Sequence, residues 1–302
     1  MDFVSKRFLF FWLAVIILLV GIISLSTLGL KPGIEFSSGS ILGLRFDNPD
    51  VEQRDLSQEL SSLGYDAIVQ HTGRDFLVRT HELTAEEKAG LVSALAGRFG
   101  NLTETQFASV SPQVAAETVQ NAGIAVAIAS AGILLYITWA FRKMPRPLHY
   151  GTSAIISMLH DVFVTLGIFS ILGGLLGWQV NLMFITGVLA VIGYSVNNTV
   201  IIYDRIRENV RLGISPDFEL LVNKSVVDTM GRTLNTSVTT LITLTALMLF
   251  VGSSIQNFVV VLMTGIVVGM FTSVFIAPSL LVVWDKSEWG RFVSWIPAFK
   301  KA

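Results

Sequence analysis

The sequence predicts a polytopic α-helical membrane protein with six transmembrane helices and a small α+β, ferredoxin-like domain of βαββαβ order, placed outside the cytoplasm between helices one and two. Three observations predict it. Hydrophobic residues make up 52% of the 302 positions and charged residues only 14%, with a mean hydropathy of +0.65, a composition suited to lipid rather than water. Six apolar runs are each long enough to cross about 30 Å of hydrocarbon at about 1.5 Å per residue. Between the first and the second lies one polar insertion with strand and helix periodicities.

The runs fall near 8–28, 119–141, 151–176, 180–204, 234–252 and 257–284. The first carries about twenty apolar residues without a small-residue cleavage site, so it reads as a retained anchor rather than a signal peptide. The expected layout is an N-terminal segment and first helix over 1–30, an outer domain over 31–118, a five-helix bundle over 119–286 and a cytoplasmic tail over 287–302. Small residues mark close helix contacts, with Gly193 and the pair Gly265 and Gly269 as packing positions.

Lys and Arg set the orientation. Lys6 and Arg7 precede the first run, Arg142, Lys143 and Arg146 follow the second, Arg205, Arg207, Arg211, Lys224 and Arg232 lie between the fourth and fifth, and Lys286, Arg291, Lys300 and Lys301 follow the last. The short loops near 177–180 and 253–256 have neither residue, so the positive-inside rule puts both termini in the cytoplasm and residues 31–118 outside it. That insertion holds thirteen acidic and seven basic residues, net −6 against +5 for the rest, and the chain has no Cys, so the domain folds without disulfides.

Within the insertion, 41–46 alternates like a strand, and 51–65 places Val51, Leu56, Leu60 and Leu63 on one helical face. Strand candidates 67–71 and 75–80 flank a turn at Thr72, Gly73 and Arg74. Thr84 followed by Glu87 has capping-box spacing and opens a second helix to Arg98, and 103–110 closes the set as a strand. A spacer and a binding platform fit this fold equally well.

Three polar sites sit at membrane depth, where such groups are costly and commonly functional. His160 and Asp161 are near the middle of the third run. Asn197 and Asn198, flanked by Ser195 and Thr199, lie in the fourth, with Asn198 roughly 10 Å inside the charged boundary at Arg205. Arg232 opens the fifth and is followed by Thr236 and Thr240 among other hydroxyls. Together they offer a polar chain through an apolar bundle. The competing readings are a structural hydrogen-bonded pair for His160 and Asp161, and an orientation charge for Arg232. Asp204 to Glu208 reads as a helix extension with weak intrahelical ion pairs, and His71, His81 and His149 as scattered, unliganded histidines.

The strings GIEFSSG (33–39), LHDV (159–162), GYSVNNTVIIYDRIREN (193–209) and RTLNTSVTT (232–240) keep one order and spacing that closely resembles the SecF family of the resistance-nodulation-division superfamily. The resemblance runs from the first helix to the last. It implies a six-helix half of a twelve-helix unit in the bacterial cytoplasmic membrane, partnered by SecD, the SecYEG channel and YajC. The implied activity is use of the proton gradient to promote preprotein translocation. Carried over residue by residue, it makes position 198, Arg232, Asp161 and His160 a proton relay, supported by Asn197, Ser195, Thr199, Thr236 and Thr240. Gly33, Glu35, Phe36 and Gly39 become a hinge to the outer domain.

Two departures stand out. The family pattern GxDFxGG is here Gly33-Ile34-Glu35-Phe36-Ser37-Ser38-Gly39, and the family's Asn-Asp in the fourth helix is Asn197-Asn198. An amide cannot release a proton near neutral pH, although it matches a protonated carboxyl in size and hydrogen bonding. An engineered mimic of the protonated state and a natural variant relaying protons elsewhere both account for it; either implies impaired coupling at this position. Other classes remain open: a superfamily exporter of a lipid or hydrophobic solute, and a non-transporting scaffold for the channel. No phosphate loop, metal-ligand cluster or nucleophile triad occurs in the sequence, so neither an enzyme nor a cofactor is expected.

Overall fold

The computed structural model describes residues 2–72, 74–250 and 255–289. Gly73 of the expected turn, loop residues 253 and 254 and the tail from 290 onward lie outside the described residues. A short 3₁₀ turn, Val4–Lys6, leads into α1 (Arg7–Thr27). Then come α2 (Ile34–Ser37), β1 (Gly39–Phe46), α3 (Gln53–Ser62), β2 (Ile68–Thr72), β3 (Asp75–Thr80), α4 (Ala85–Phe99) and β4 (Leu102–Val110). The remaining helices are α5 (Pro112–Ala140), α6 (Pro147–Leu176), α7 (Leu182–Arg211), α8 (Phe218–Phe250) and α9 (Gln256–Phe271). A π-helical turn, Thr272–Ile276, joins α9 to α10 (Ala277–Lys286). Two compact units result, residues 32–123 and residues 1–31 with 124–302.

The first unit is a four-stranded antiparallel sheet in the order β2-β3-β1-β4. Leu42, Leu44 and Phe46 of β1 alternate inward and meet Leu56 and Leu60 of α3 and Leu91 and Leu95 of α4 in one apolar core. Leu63 stays exposed because α3 ends at Ser62 and turns it off the helical face. Thr84 caps α4 reciprocally with Glu87, as the spacing predicts. Gly39 is required twice over: its φ is +117°, and a Cβ there would stand 2.5 Å from the Thr80 carbonyl oxygen.

Among the described residues six helices are long and apolar enough to cross a membrane, the last being α9, the π turn and α10 together; α5 starts in the first unit and runs on into the second. Helices α6, α7 and the α9–α10 pair are the most buried, whereas α5 and α8 expose most of their surface. Helix α1 packs on α6 where the Gly21 and Gly167 backbones touch and Ser24 hydrogen-bonds Ser170. Gly265 seats Val191, and Gly187 admits Val261. At Gly193 an added Cβ meets no heavy atom within 4 Å, so among the described residues no helix crosses closely at this expected packing position.

Helices α7 and α8 continue beyond their apolar runs, joined by an ion pair from Arg205 to Asp228 at 2.6 Å and a hydrogen bond from Asn209 to Ser225 at 2.8 Å. Nothing in 218–230 breaks a helix, so α8 starts well before residue 234. The π turn has a local cause. Pro278 has no N–H to give and its ring crowds the carbonyl four residues earlier, and a widened turn ahead of it relieves both.

Candidate functional site

Asp161 is the only fully buried acidic residue among the described residues, at 0% exposure. It lies halfway along α6, about 21 Å from either end at 1.5 Å per residue. Both carboxyl oxygens are engaged. Ser195 Oγ of α7 donates to Oδ2 at 2.6 Å, and Thr272 Oγ1 of the π turn lies 2.8 and 2.9 Å from Oδ1 and Oδ2. His160 Nδ1 is 3.4 Å from Oδ1, while its Nε2 meets the Ala14 carbonyl of α1 at 3.1 Å, which orients the ring. Gly269 forms the remaining wall, since a Cβ there would sit 3.2 Å from Asp161 Oδ2.

A second tier continues from this carboxyl. Ser273 Oγ and Thr199 Oγ1 are 3.0 Å apart, and both donate to the Ser195 carbonyl, at 3.2 and 3.1 Å. Asn198 is 1% exposed, and its Nδ2 has no hydrogen-bond partner among the described residues. An amide N–H buried in that way is costly unless something else faces it.

Asp161, His160, Ser195 and Thr199 therefore meet, with Asn198 one turn further along α7. Arg232 does not join them. It is exposed, lining a surface cavity of about 430 Å³ with Asp204, Arg205, Glu208 and Asp228, and among the described residues no hydrogen bond or ion pair links it to Asn198. Asn197 is exposed on the opposite face of α7. Thr236 and Thr240 donate to the carbonyls of Arg232 and Thr236 four residues back, and among the described residues neither hydroxyl bonds to another helix. Gly33 caps α2 and accepts the Ser37 hydroxyl at 2.9 Å; Glu35 and Phe36 are half-buried. Among the expected histidines, His149 stacks on Trp284 and His81 on Tyr65.

Sequence reasoning missed three contributors. Thr272 and Ser273 come from the π turn, signalled only by a Thr-Ser pair in an apolar run shortly before Pro278. Arg7, counted only as an orientation charge, is 3% exposed and donates to Glu219 at 2.6 Å and to Glu288, while Lys286 also pairs with Glu219. That network ties the starts of α1 and α8 to the end of α10.

A buried carboxyl held only by neutral hydroxyls and one imidazole is a two-state element. With a proton on the carboxyl it is an ordinary hydrogen-bonded group. Without one, a charge stands in low dielectric with His160 as its single ionisable neighbour among the described residues, a large free-energy change for the helices around it.

Comparison with known proteins places these residues in context. The profile described as protein export membrane protein SecD/SecF, C-terminal, matches residues 92–287, and the SecD/SecF GG motif matches 23–50. Protein translocase subunit SecF of Thermobaculum terrenum is 41% identical, covering 96% of both chains. That of Pseudomonas aeruginosa is 32% identical over 94% of this chain and 90% of its own. Protein translocase subunit SecDF of Bacillus subtilis is 32% identical over 95% of this chain but only 38% of its own. The crystal structure of SecDF from Thermus thermophilus, described as a translocon-associated membrane protein, superposes with a TM-score of 0.83 at 29% identity. The match covers 95% of this chain and 39% of that one, so this chain corresponds to well under half of the solved protein.

Proposed function

This chain belongs to the SecD/SecF family of protein-export membrane proteins, and from that premise we propose that it works with SecD beside the SecYEG channel, using the proton gradient to promote preprotein translocation across the bacterial cytoplasmic membrane. The observation that carries the proton reading is Asp161, fully buried at mid-helix between hydroxyls from α7 and the π turn. Asn198 keeps the shape of a protonated carboxyl and cannot ionise, so that position holds one state and Asp161 is the group left to cycle. The role is mechanical rather than enzymatic: loading and unloading of one buried charge shifts how α6, α7 and the π turn pack.

Supporting detail comes from the surface of the bundle. Asn197 on α7 and Arg232, Asn235, Thr236 and Thr239 on α8 are exposed. Polar groups at membrane depth face protein or water, not acyl chains. A second six-helix half, supplied by SecD, fits that face, and relatives in which both halves form one SecDF chain support the pairing. The Lys and Arg distribution supports cytoplasmic termini, and the β2-β3-β1-β4 order supports a ferredoxin-like outer domain able to hold an emerging polypeptide.

The test is precursor accumulation in cells that depend on this chain and its SecD partner. Asp161→Asn is expected to slow export strongly with membrane abundance unchanged. Normal export with Asp161, His160 and Arg232 all made apolar would favour the scaffold reading instead.

A further inference from the structure

Helices α6 and α7 bear matching polar ladders. On α6, Ser153, Ser157, Asp161 and Thr165 recur every fourth residue, all at 0% exposure. On α7, Ser195, Thr199 and Tyr203 have the same spacing, with none above 2%. Two contacts fix the antiparallel register, Asp161 to Ser195 at 2.6 Å and Ser153 Oγ to Tyr203 Oη at 2.5 Å. Both pairs are separated by two turns on each helix, so Ser157 stands level with Thr199 midway between them. Ser157 Oγ is fully buried and has no hydrogen-bond partner among the described residues. A polar atom so placed takes a water when room exists, and rungs about 6 Å apart leave a gap of one water between hydroxyls.

The far end of the ladder meets a cavity. Tyr203 packs edge-on against Tyr150, with ring centroids 5.3 Å apart. Tyr150 lines a cavity of about 310 Å³ together with Arg146, His149 and Asp285, near the positively charged ends of the helices.

We propose that α6 and α7 enclose a hydroxyl and water ladder, Tyr203 and Ser153, then Ser157 and Thr199, then Ser195, that conducts protons between Asp161 and this cavity. The proposal rests on the proton-coupled reading above and deepens it by supplying the path. Each hydroxyl or water accepts one proton while passing on another. A proton entering from water at the cavity leaves the Asp161 carboxylate protonated, and the reverse movement discharges it. No covalent product forms and no oxidant is needed. Among the described residues, His160 is the one other ionisable group at the inner end, and Arg146, His149, Tyr150 and Asp285 are those at the mouth.

The test uses the full chain with its SecD partner in vesicles containing a pH-sensitive dye. Tyr203→Phe, which removes only the hydroxyl, should cut proton flux about tenfold or more, as for loss of a positioned proton-transfer group. Ser157→Val should do the same, whereas Ser157→Thr, which matches the valine in volume but retains a hydroxyl, should conduct. Equal impairment by Ser157→Thr and Ser157→Val, or full flux in Tyr203→Phe, overturns the ladder. Asp161→Asn separates the two claims. If it stops flux while the ladder variants conduct, the path is wrong and coupling stands; if it conducts normally, or if the unmodified chain carries no flux, coupling falls and the ladder with it.

Discussion

Thr272 Oγ1 lies 2.8 and 2.9 Å from the two carboxyl oxygens of Asp161, across 111 positions of sequence, and it does so from a π turn. A regular helix carries its side chains at fixed angles, and the wider turn re-aims Thr272 and Ser273 towards α6 and α7. Thr272→Val removes the hydroxyl and keeps the shape. A hydrogen bond to a charged group contributes about 1.5–3 kcal/mol, so the ionised state should be disfavoured by roughly that amount. The expected outcome is slowed export with little change in melting temperature, and Thr272→Ser should retain most activity.

The Arg7 network makes a prediction about stability. Arg7 is almost wholly buried between Glu219 and Glu288, and breaking such a pair from one side costs on the order of 3 kcal/mol, because carboxylates are left under-compensated. Arg207, paired with Asp204 at the surface, should cost about 1 kcal/mol or less when replaced. Denaturant or thermal unfolding in detergent should therefore separate Arg7→Ala clearly from Arg207→Ala.

Much of this architecture is legible in sequence because the signals are local. Each apolar run is about long enough for a bilayer crossing, the Thr84 and Glu87 pair announces α4, and Leu42, Leu44 and Phe46 alternate on β1. The burial of Asp161 is legible for the same reason: a carboxyl in the middle of an apolar run must face protein partners, as it does in Ser195 and Thr272. The rest depends on distant partners. Thr272 becomes a ligand only through the turn ahead of Pro278. Arg7 looks like any basic residue before a first helix until Glu219 and Glu288 fold over it. The expected relay of Arg232 with position 198 likewise needs distant partners, and among the described residues Arg232 is exposed at a surface cavity instead.

Acid should loosen the unit of residues 32–123 in a defined window. Arg45 hydrogen-bonds Asp75 and holds its carboxyl below the usual value, and the Thr84 backbone and hydroxyl do the same for Glu87. Groups with depressed folded values stabilise fully above their unfolded values, about 3.9 for Asp and 4.3 for Glu, and lose that contribution as pH falls through the folded ones. At matched pH, hydrogen exchange of β3 amides should distinguish Asp75→Asn from the unmodified chain near neutrality, and the difference should vanish well below pH 4. A difference unchanged across that range contradicts the assignment.

Asn198→Asp should restore a second ionisable group one turn from Ser195. Its site is buried and leaves the amide nitrogen unpartnered, so a carboxyl fits the space while gaining a charge state. Proton flux and export are both expected to rise. Equal flux in the two forms would remove position 198 from the relay.

The most direct measurement is an infrared difference spectrum of the full complex in membranes, recorded as pH or the proton gradient is switched. A carboxylic-acid carbonyl band should appear and disappear with the proton and be missing from the spectrum of Asp161→Asn. Identical carbonyl bands in the two samples would contradict the claim that Asp161 carries the charge.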